Sequence, residues 1–261
     1  MKKVFVLMAM AALVLVSCEK DNKGGKNHNN GGDDEEYVAP IKIDGDVADW
    51  AKLDATKVAV AKNQHTEWTA VKEIRCYADE FYAFYYIEFD AAQAKELLAS
   101  ANGQKENSEG QMEDIELPIR VNLNTDGEFT SGYTSYSLDG YDFILEGGIA
   151  KGGAWESFNP NMYQRIDGWV NLSTSEEGGI CEGAGKDNHY ELAISLSAFN
   201  AKASGSTVPM PIGKTFQTGI RFYTADWGEL SNMPNTAPNP DSEVKGEQKG
   251  WGHLMNVTVV E

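Results

Sequence analysis

The chain has 261 residues, of which 41% are hydrophobic and 10% aromatic, so it can bury a sizeable core in one large domain or two small ones. Its 22 Lys and Arg residues are outnumbered by 40 Asp and Glu residues, which gives a formal net charge of −18 at pH 7. Because this charge repels phosphate groups, the composition argues against nucleic acid and against an anionic lipid surface as partners.

The N-terminus has the pattern of an export signal over residues 1–17. Lys2 and Lys3 precede an apolar run over residues 4–16, which is too short to span a bilayer. The run ends in Leu15-Val16-Ser17-Cys18, which resembles the bacterial lipoprotein box. This resemblance implies that Cys18 is lipidated and becomes the first residue of the mature chain, so that acyl chains hold the protein at a membrane without a transmembrane helix.

Residues 18–36 are predicted to be the lipidated cysteine and a flexible tether, because residues 19–36 contain no large apolar side chain. The cluster Glu19-Lys20-Asp21 is similar to the surface-export signal of Bacteroidetes lipoproteins, and an ordinary polar linker is the alternative. The expected location is therefore the outer membrane, with the protein lipid-anchored at the cell surface.

The domain is predicted to span residues 37–261 and to open with residues 41–50. Ile41 and Ile43 alternate with Lys42, which is the pattern of a half-buried strand. Asp44-Gly45 is typical of a tight turn. We expect Trp50 to pack back onto the strand as part of the core.

The next segments predict a hairpin and a helix. Two β-rich runs over residues 71–78 and 81–90 are joined at Asp79-Glu80, and aromatic residues on both faces of the second run indicate a strand covered on both sides. Asp90 and Gln93 have the spacing of a capping box, which predicts a helix over residues 91–99.

Further strands are predicted in the remaining two thirds of the chain. Ile115 to Leu123 alternate strictly, except at Pro118, which suggests a sheet edge or a bulge. Ser197 is a candidate cap for a single helical turn ending at Asn200. Residues 102–110, 176–186 and 228–250 are predicted loops, and the other strands are expected at 141–148, 155–158, 168–172, 190–196, 216–224 and 255–260.

These elements predict an all-β fold, namely a single antiparallel β-sandwich with jelly-roll or immunoglobulin-like layers and one short helix. There is no alternation of strands and long helices that would indicate a parallel sheet. Export would permit a disulfide between Cys76 and Cys181, but Cys76 lies within a strand pattern and is better interpreted as a small buried apolar residue. Whether the two cysteines pair is left open.

Several stretches together resemble one family. The opening IKIDGDVADW is similar to the start of the family 9 carbohydrate-binding-module-like domains, which share a DOMON-type sandwich. Motifs of that family recur here in order, with Asn and Ser where the family tends to have Asp and Thr at positions 124 and 131: Asp79-Glu80-Phe81-Tyr82, Asn124-Thr125-Asp126, Ser131-Gly132-Tyr133, the strand from Gly140 to Gly147, the stretch from Tyr190 to Phe199, and Gly219-Ile220-Arg221. The resemblance implies a β-sandwich that binds glycan as an accessory to other proteins.

Glycan binding needs flat exposed aromatic rings and polar groups that reach the sugar hydroxyls. The candidate rings lie in polar, loop-like surroundings, and Asp226 and Arg221 are candidate hydroxyl ligands. For each tryptophan the alternative is packing in the core or at its rim, and for Arg221 it is a structural ion pair. The candidate platforms are Trp68, Trp155, Trp227 and Trp251.

A metal site is suggested by the turn that begins at Asn122. Residues 122–127 resemble the first half of an EF-hand loop, but the twelfth position is Tyr133 and the flanks are predicted strands, so an EF-hand is not expected. Asp126, Asp139 and Asp142 remain candidate ligands of a different, structural calcium site, with a plain turn as the alternative.

The chain contains no hydrolase, metalloprotease or phosphate-loop motif, so we predict no enzymatic activity. The expected partners are a glycan or oligosaccharide, the membrane through Cys18, and proteins of the cell envelope. The alternative function is a structural or adhesion module that contacts protein through the 228–250 loop, with buried tryptophans. A weaker alternative is a redox domain, because some DOMON sandwiches hold haem.

Overall fold

A computed structural model of the chain describes residues 37–134, 140–173 and 179–261. The predicted export signal and tether, Cys18 and Asp139 lie outside the described residues. Within the described ranges the α-helices are α1 (Ala91–Ser100), α2 (Leu196–Ser204) and α3 (Lys245–Gln248), and 3₁₀ helices cover Val47–Lys52 and Ala55–Lys57. The strands of the described residues are β1 (Ala59–Lys62), β2 (Val71–Asp79), β3 (Tyr82–Phe89), β4 (Gln104–Glu106), β5 (Met112–Asp114), β6 (Glu116–Asn124), β7 (Phe143–Lys151), β8 (Ala154–Trp155), β9 (Asn161–Arg165), β10 (Trp169–Asn171), β11 (Cys181–Lys186), β12 (His189–Ser195), β13 (Thr215–Tyr223), β14 (Glu229–Met233) and β15 (Met255–Val260).

The fold is mostly β, as predicted, and thirteen of the strands belong to one continuous sheet. Its strand order is β10-β9-β7-β6-β13-β15-β2-β3-β12-β11, with β1 beside β2, β14 beside β13 and β8 beside β7. The pairings are antiparallel except where β15 runs parallel to β2, at Val259 opposite Ala78. The sheet is therefore mixed, and the prediction of a purely antiparallel arrangement is wrong at this junction. Strands β4 and β5 form a separate hairpin.

One hydrophobic core takes side chains from both halves of the sheet. Alternate residues of β2, β3 and β12 meet alternate residues of β6, β7 and β13 in a single cluster. The hydroxyl groups of Tyr85 on β3 and Thr218 on β13 lie 2.9 Å apart inside it. The other faces of the strands consequently point away from this core.

The prediction for strand β6 is confirmed for the residues that face the core but is wrong about the position of the strand in the sheet. Leu117, Ile119, Val121 and Leu123 are buried as the alternation predicts, and a bulge lies between Leu117 and Pro118. However, β7 and β13 flank β6 on either side, so Pro118 is not at a sheet edge. Asn122 on the opposite face is also buried, which a one-sided strand pattern does not reveal.

The opening stretch does not form the predicted strand. Asp44 Oδ1 accepts from the backbone N–H of Asp46, and Asp46 Oδ1 accepts from that of Ala48 and caps the first 3₁₀ helix. These side chains bond the local backbone, which competes with pairing to another strand. Ile41 and Trp50 are nevertheless buried, on the face of β3 and β12 that points away from the main core.

The described residues contain more helices than the one short helix that the sequence predicts. Helix α1 has its predicted cap, since Asp90 accepts from the backbone N–H groups of Ala92 and Gln93. Helix α2 is longer than a single turn and is capped by Ser195 instead of Ser197. Helix α3 and strand β14 lie in the predicted 228–250 loop, and β4 and β5 begin in or just after the predicted loop at 102–110.

Strand β11 also lies in a predicted loop, and its glycines explain the error. A Cβ atom on Gly183 would collide with the Tyr190 hydroxyl group, and one on Gly185 with the ring of Trp155. The glycines therefore allow large aromatic side chains to pack directly against the backbone of the strand. From sequence alone they are indistinguishable from turn glycines.

Cys76 and Cys181 are both buried and free, in agreement with the interpretation of Cys76 as a buried apolar residue. Strands β3 and β12 separate β2 from β11, so the cysteines are three strand spacings apart, about 14 Å. A disulfide needs Cα atoms within about 7 Å, so the two cannot pair in this fold. Burial raises the pKa of both thiols.

Candidate functional site

The face of β6, β7 and β13 that points away from the core carries charged residues in register. Arg120 on β6 lies opposite Glu146 on β7 and opposite Arg221 on β13. The Arg120 Nε–H group donates to Glu146 Oε2, and its Nη1–H group donates to the Tyr223 hydroxyl at 3.1 Å. Arg120 is thus fixed by a carboxylate and a phenol at the centre of the face.

Three arginines on this part of the molecule each lie over two aromatic rings. Distances from the guanidinium carbon to the ring centroids are 5.1 and 5.4 Å for Arg120, 4.1 and 6.0 Å for Arg221, and 5.7 Å to both rings for Arg165. A guanidinium stacked on a ring keeps its N–H edge for hydrogen bonds. We call this set the aromatic–arginine row; its members are Arg120 with Tyr223 and Trp227, Arg221 with Trp251 and Tyr141, and Arg165 with Tyr133 and Trp169.

Trp227 occupies the tight turn between β13 and β14 at one end of the row. The turn is closed by hydrogen bonds from Thr224 N–H to the Gly228 carbonyl (2.8 Å) and from Trp227 N–H to the Thr224 carbonyl (2.9 Å). Trp227 has φ of +63°, in the left-handed region, and its side chain is 46% exposed. A bulky residue there carries backbone strain that glycine would avoid, so the turn holds a large ring in solvent at a conformational cost.

A cleft of about 340 Å³ opens beside Trp227. The β4–β5 hairpin forms one wall, and Lys105 Nζ donates to the Ala225 carbonyl at 3.2 Å, which ties the hairpin to the Trp227 turn. Carboxylate, amide and ammonium groups thus surround an exposed ring. The polar lining includes Lys105, Glu113, Glu116, Glu146 and Asn161.

The opposite end of the row is built on the β9–β10 hairpin. Trp169 on β10 pairs with Arg165 on β9, is 38% exposed, and lies 5.4 Å from the ring of Tyr133. The sequence predicts a strand here but does not single out Trp169. Its position beside Gly168 in a short polar segment is the same signal that selects Trp227.

Besides Trp227, three predicted residues lie at the row in different roles. Arg221 is a member of the row through its stacking on Trp251 and on a tyrosine ring. Asp226 is exposed in the Trp227 turn. Trp251 is only 3% exposed, donates from Nε1 to Glu229 Oε1 at 3.1 Å, and lies under Arg221. Its buried ring supports Arg221 and does not offer a platform, which corrects that prediction.

Trp155 and Trp68 lie elsewhere. Trp155 packs against the main core with ring centroids 5.2 Å from Phe89 and 5.6 Å from Tyr190, so it has a packing role. Trp68 stacks on His65 at 4.0 Å. Neither ring joins the row among the described residues. The sequence does not identify Tyr223 and Arg120, which do join the row, because strand patterns do not reveal which side chains become neighbours.

The two predicted calcium ligands that the structure describes, Asp126 and Asp142, both accept hydrogen bonds from the protein itself. Asp142 is fully buried, and its Oδ2 accepts from the backbone N–H of Thr125 at 2.8 Å, whereas Oδ1 has no partner among the described residues. Burial raises the pKa of Asp142 to about 6, and the charge of Asp126 adds to this rise. Asp126 accepts from Glu128 N–H and from the Ser131 hydroxyl, as in an ordinary turn.

Within residues 37–134, 140–173 and 179–261, no group of three or more His, Cys, Asp or Glu side chains could hold a metal ion. The third candidate, Asp139, lies outside these ranges. In the same ranges, no helix is long and apolar enough to cross a membrane.

Comparisons with known proteins do not name a family. No model of a known protein family matches the chain, and no curated protein matches it significantly.

Proposed function

We propose that the protein is a non-catalytic carbohydrate-binding protein, anchored at the cell envelope by a lipid on Cys18, and that it binds glycan on the aromatic–arginine row. In this proposal the two halves of the sheet are the layers of a β-sandwich of the DOMON type, and the row lies on the outer side of one layer. The observation that carries the proposal is Trp227, a large ring held in solvent at φ of +63° beside a polar cleft.

The chemistry of the cleft suits a sugar. The apolar C–H face of a pyranose would stack on the Trp227 ring, while Glu146, Asn161 and Arg120 would hydrogen-bond to its hydroxyl groups. Backbone strain at a residue whose ring remains half exposed is a reason to suspect function, because burial of the ring does not offset the strain.

The proposal is tested by binding of the full-length chain to a broad glycan array, followed by titration of the best ligand. Trp227→Ala is expected to lower affinity about 5- to 30-fold, because loss of a stacked ring costs on the order of 1–2 kcal/mol. Phe81→Ala is the matched control, since Phe81 is an equally exposed aromatic residue on the β2–β3 turn, away from the row. This variant should bind like the wild type.

A folded protein that binds no glycan, or a Trp227→Ala variant that binds as well as the wild type, would overturn the proposal. Absence of glycan binding would favour the adhesion alternative. Chromatography of the bound oligosaccharide after long incubation checks the non-catalytic part, which predicts that the ligand is recovered uncleaved.

A further inference from the structure

We propose that the Trp169 end of the row is a subsite for a sugar unit that carries a carboxylate, that is, a uronic acid within the glycan. The inference rests on the proposed function and names the class of ligand that this end of the row selects. The observation behind it is that Arg120 is paired with a carboxylate, whereas Arg165 is not paired with one among the described residues.

Arg165 is a cation without a carboxylate partner in the described part of the chain. Arg75 and Arg120 form ion pairs with Glu73 and Glu146, whereas the Arg165 side chain, among the described residues, lies against the rings of Tyr133 and Trp169 and forms no ion pair. Its Nε–H group is buried and has no hydrogen-bond partner among the described residues. In a chain with a net charge of −18, acidic side chains are plentiful, so a guanidinium with no carboxylate partner among the described residues is unexpected.

Two carboxylates of the described residues lie near Arg165 along the sheet, and neither pairs with its side chain. The backbone N–H of Arg165 donates to the Asp142 carbonyl at 2.7 Å, but the Asp142 carboxylate accepts from Thr125 and forms no ion pair with the Arg165 side chain. Asp167 lies in the same hairpin turn and is exposed, and it too forms no ion pair with Arg165. Within the described part of the chain, no carboxylate therefore neutralises the charge of Arg165.

The geometry around Arg165 suits a ring that bears an anion. The exposed Trp169 ring offers a stacking surface for a pyranose, and the adjacent guanidinium is suited to bidentate recognition of a carboxylate at the edge of that sugar. The long-range repulsion from the acidic protein is screened within about 8 Å at physiological salt, so the local cation dominates at contact.

The subsite is separate from the Trp227 cleft. Arg120, Glu146 and Asn161 lie in register across three adjacent strands, and Arg165 lies four residues beyond Asn161 on β9. From strand spacing and rise, Arg120 and Arg165 are about 17 Å apart. One glycan that reaches both ends must therefore be an oligosaccharide, with its acidic unit at the Trp169 end.

The test uses the full-length chain and a pair of ligands that differ only in charge. An oligogalacturonide and the same oligosaccharide after reduction of its carboxyl groups are titrated by calorimetry at low and physiological salt. The wild type is expected to bind the acidic form about tenfold more tightly, and salt should shrink this ratio. A free uronic acid or acetate as competitor shows whether an isolated carboxylate suffices; the proposal expects that it competes only weakly.

In Arg165→Gln, the ratio of the two affinities should fall to about one. Arg165→Lys keeps the charge but loses the planar fork and should retain only part of the preference. Phe81→Ala should keep the wild-type ratio, and circular dichroism checks that each variant is folded.

Equal binding of the two forms by the wild type, or an unchanged ratio in Arg165→Gln, would overturn the acidic subsite while leaving the proposed function intact. If the array and both forms show no binding at all, the proposed function itself fails. These two failures are thus distinguishable in one set of titrations.

Discussion

Both outward faces of the sheet carry tryptophan and carboxylate side chains, but on one face these side chains are covered and on the other they are open to solvent. On the face of β3 and β12, the opening stretch covers Glu191, whose oxygens accept from Trp50 Nε1 at 2.8 Å and from Gly45 N–H at 3.0 Å. On the face of β6 and β13, Trp227 projects into solvent and Arg120 binds Glu146 beside an open cleft. Each face has a tryptophan and a carboxylate, but among the described residues the chain closes the first face and leaves the second open.

The difference shows what makes a polar aromatic face structural. Where the chain supplies both the donor for each oxygen and the cover for each ring, the residues stabilise the fold and leave nothing for a ligand. Where rings are exposed and guanidinium edges remain at the surface, the same chemistry is available for recognition. The following predictions test this contrast, in order of decreasing effect.

The largest effect is expected at the closed face. Trp50→Ala removes a buried ring and its hydrogen bond to Glu191, and should lower the free energy of unfolding by about 3–5 kcal/mol. Denaturant unfolding monitored by circular dichroism measures this, with Trp227→Ala as the comparison, which should cost less than about 1 kcal/mol. Similar losses in the two variants would remove the distinction between the faces.

A smaller effect is expected from Asp142, a buried acid with one oxygen bonded to Thr125 and the other without a partner among the described residues. Because burial raises its folded pKa to about 6 from an ordinary value of 3.8, the native state binds more protons between these pH values than the unfolded state does. Stability should therefore fall as pH rises from about 4 to about 6, by up to about 3 kcal/mol from this group. Asp142→Asn should flatten this part of the profile.

The control for Asp142 is unfolding of both proteins at several pH values with and without calcium. Calcium requires the ionised carboxylate, so a calcium site that includes Asp142 should raise the wild-type melting temperature at pH 7 but not that of Asp142→Asn. An identical pH slope in the two proteins would contradict the role assigned to burial.

The contrast between the faces also shows what the sequence could predict. Strands β6 and β12 are predicted by local alternation, β2 and β3 by their runs of β-forming residues, and the burial of Trp50 by its place in the opening stretch, because these signals lie within a few residues of one another. The row was only partly predictable, since it is assembled from β6, β9, β10 and β13 and from loops far apart in the chain. Arg120 and Arg165 look like ordinary outward-facing strand residues until register places them beside Glu146 and Trp169.

Errors at the opening stretch and at β11 have a related cause. The isoleucines of the opening stretch alternate like strand residues, but the stretch instead covers β3 and β12 and brings the Gly45 N–H group to Glu191. Gly185, in contrast, looks like a turn residue but gives room to the ring of Trp155 within a strand. In both places the outcome depends on a residue that approaches from a distant part of the chain. Local patterns do not contain that information.

The smallest effect isolates the backbone strain at Trp227. Trp227→Gly and Trp227→Ala both remove the ring, so both should lose glycan affinity, but Gly tolerates φ of +63° and Ala does not. The Gly variant should therefore be more stable by about 1 kcal/mol. The same pair at Phe81, which is not at positive φ, should show the opposite order, because Gly is entropically costly in an ordinary conformation. If Ala proved the more stable residue at both positions, the turn would carry no strain there, and the argument that the Trp227 ring is held for binding would lose its physical basis.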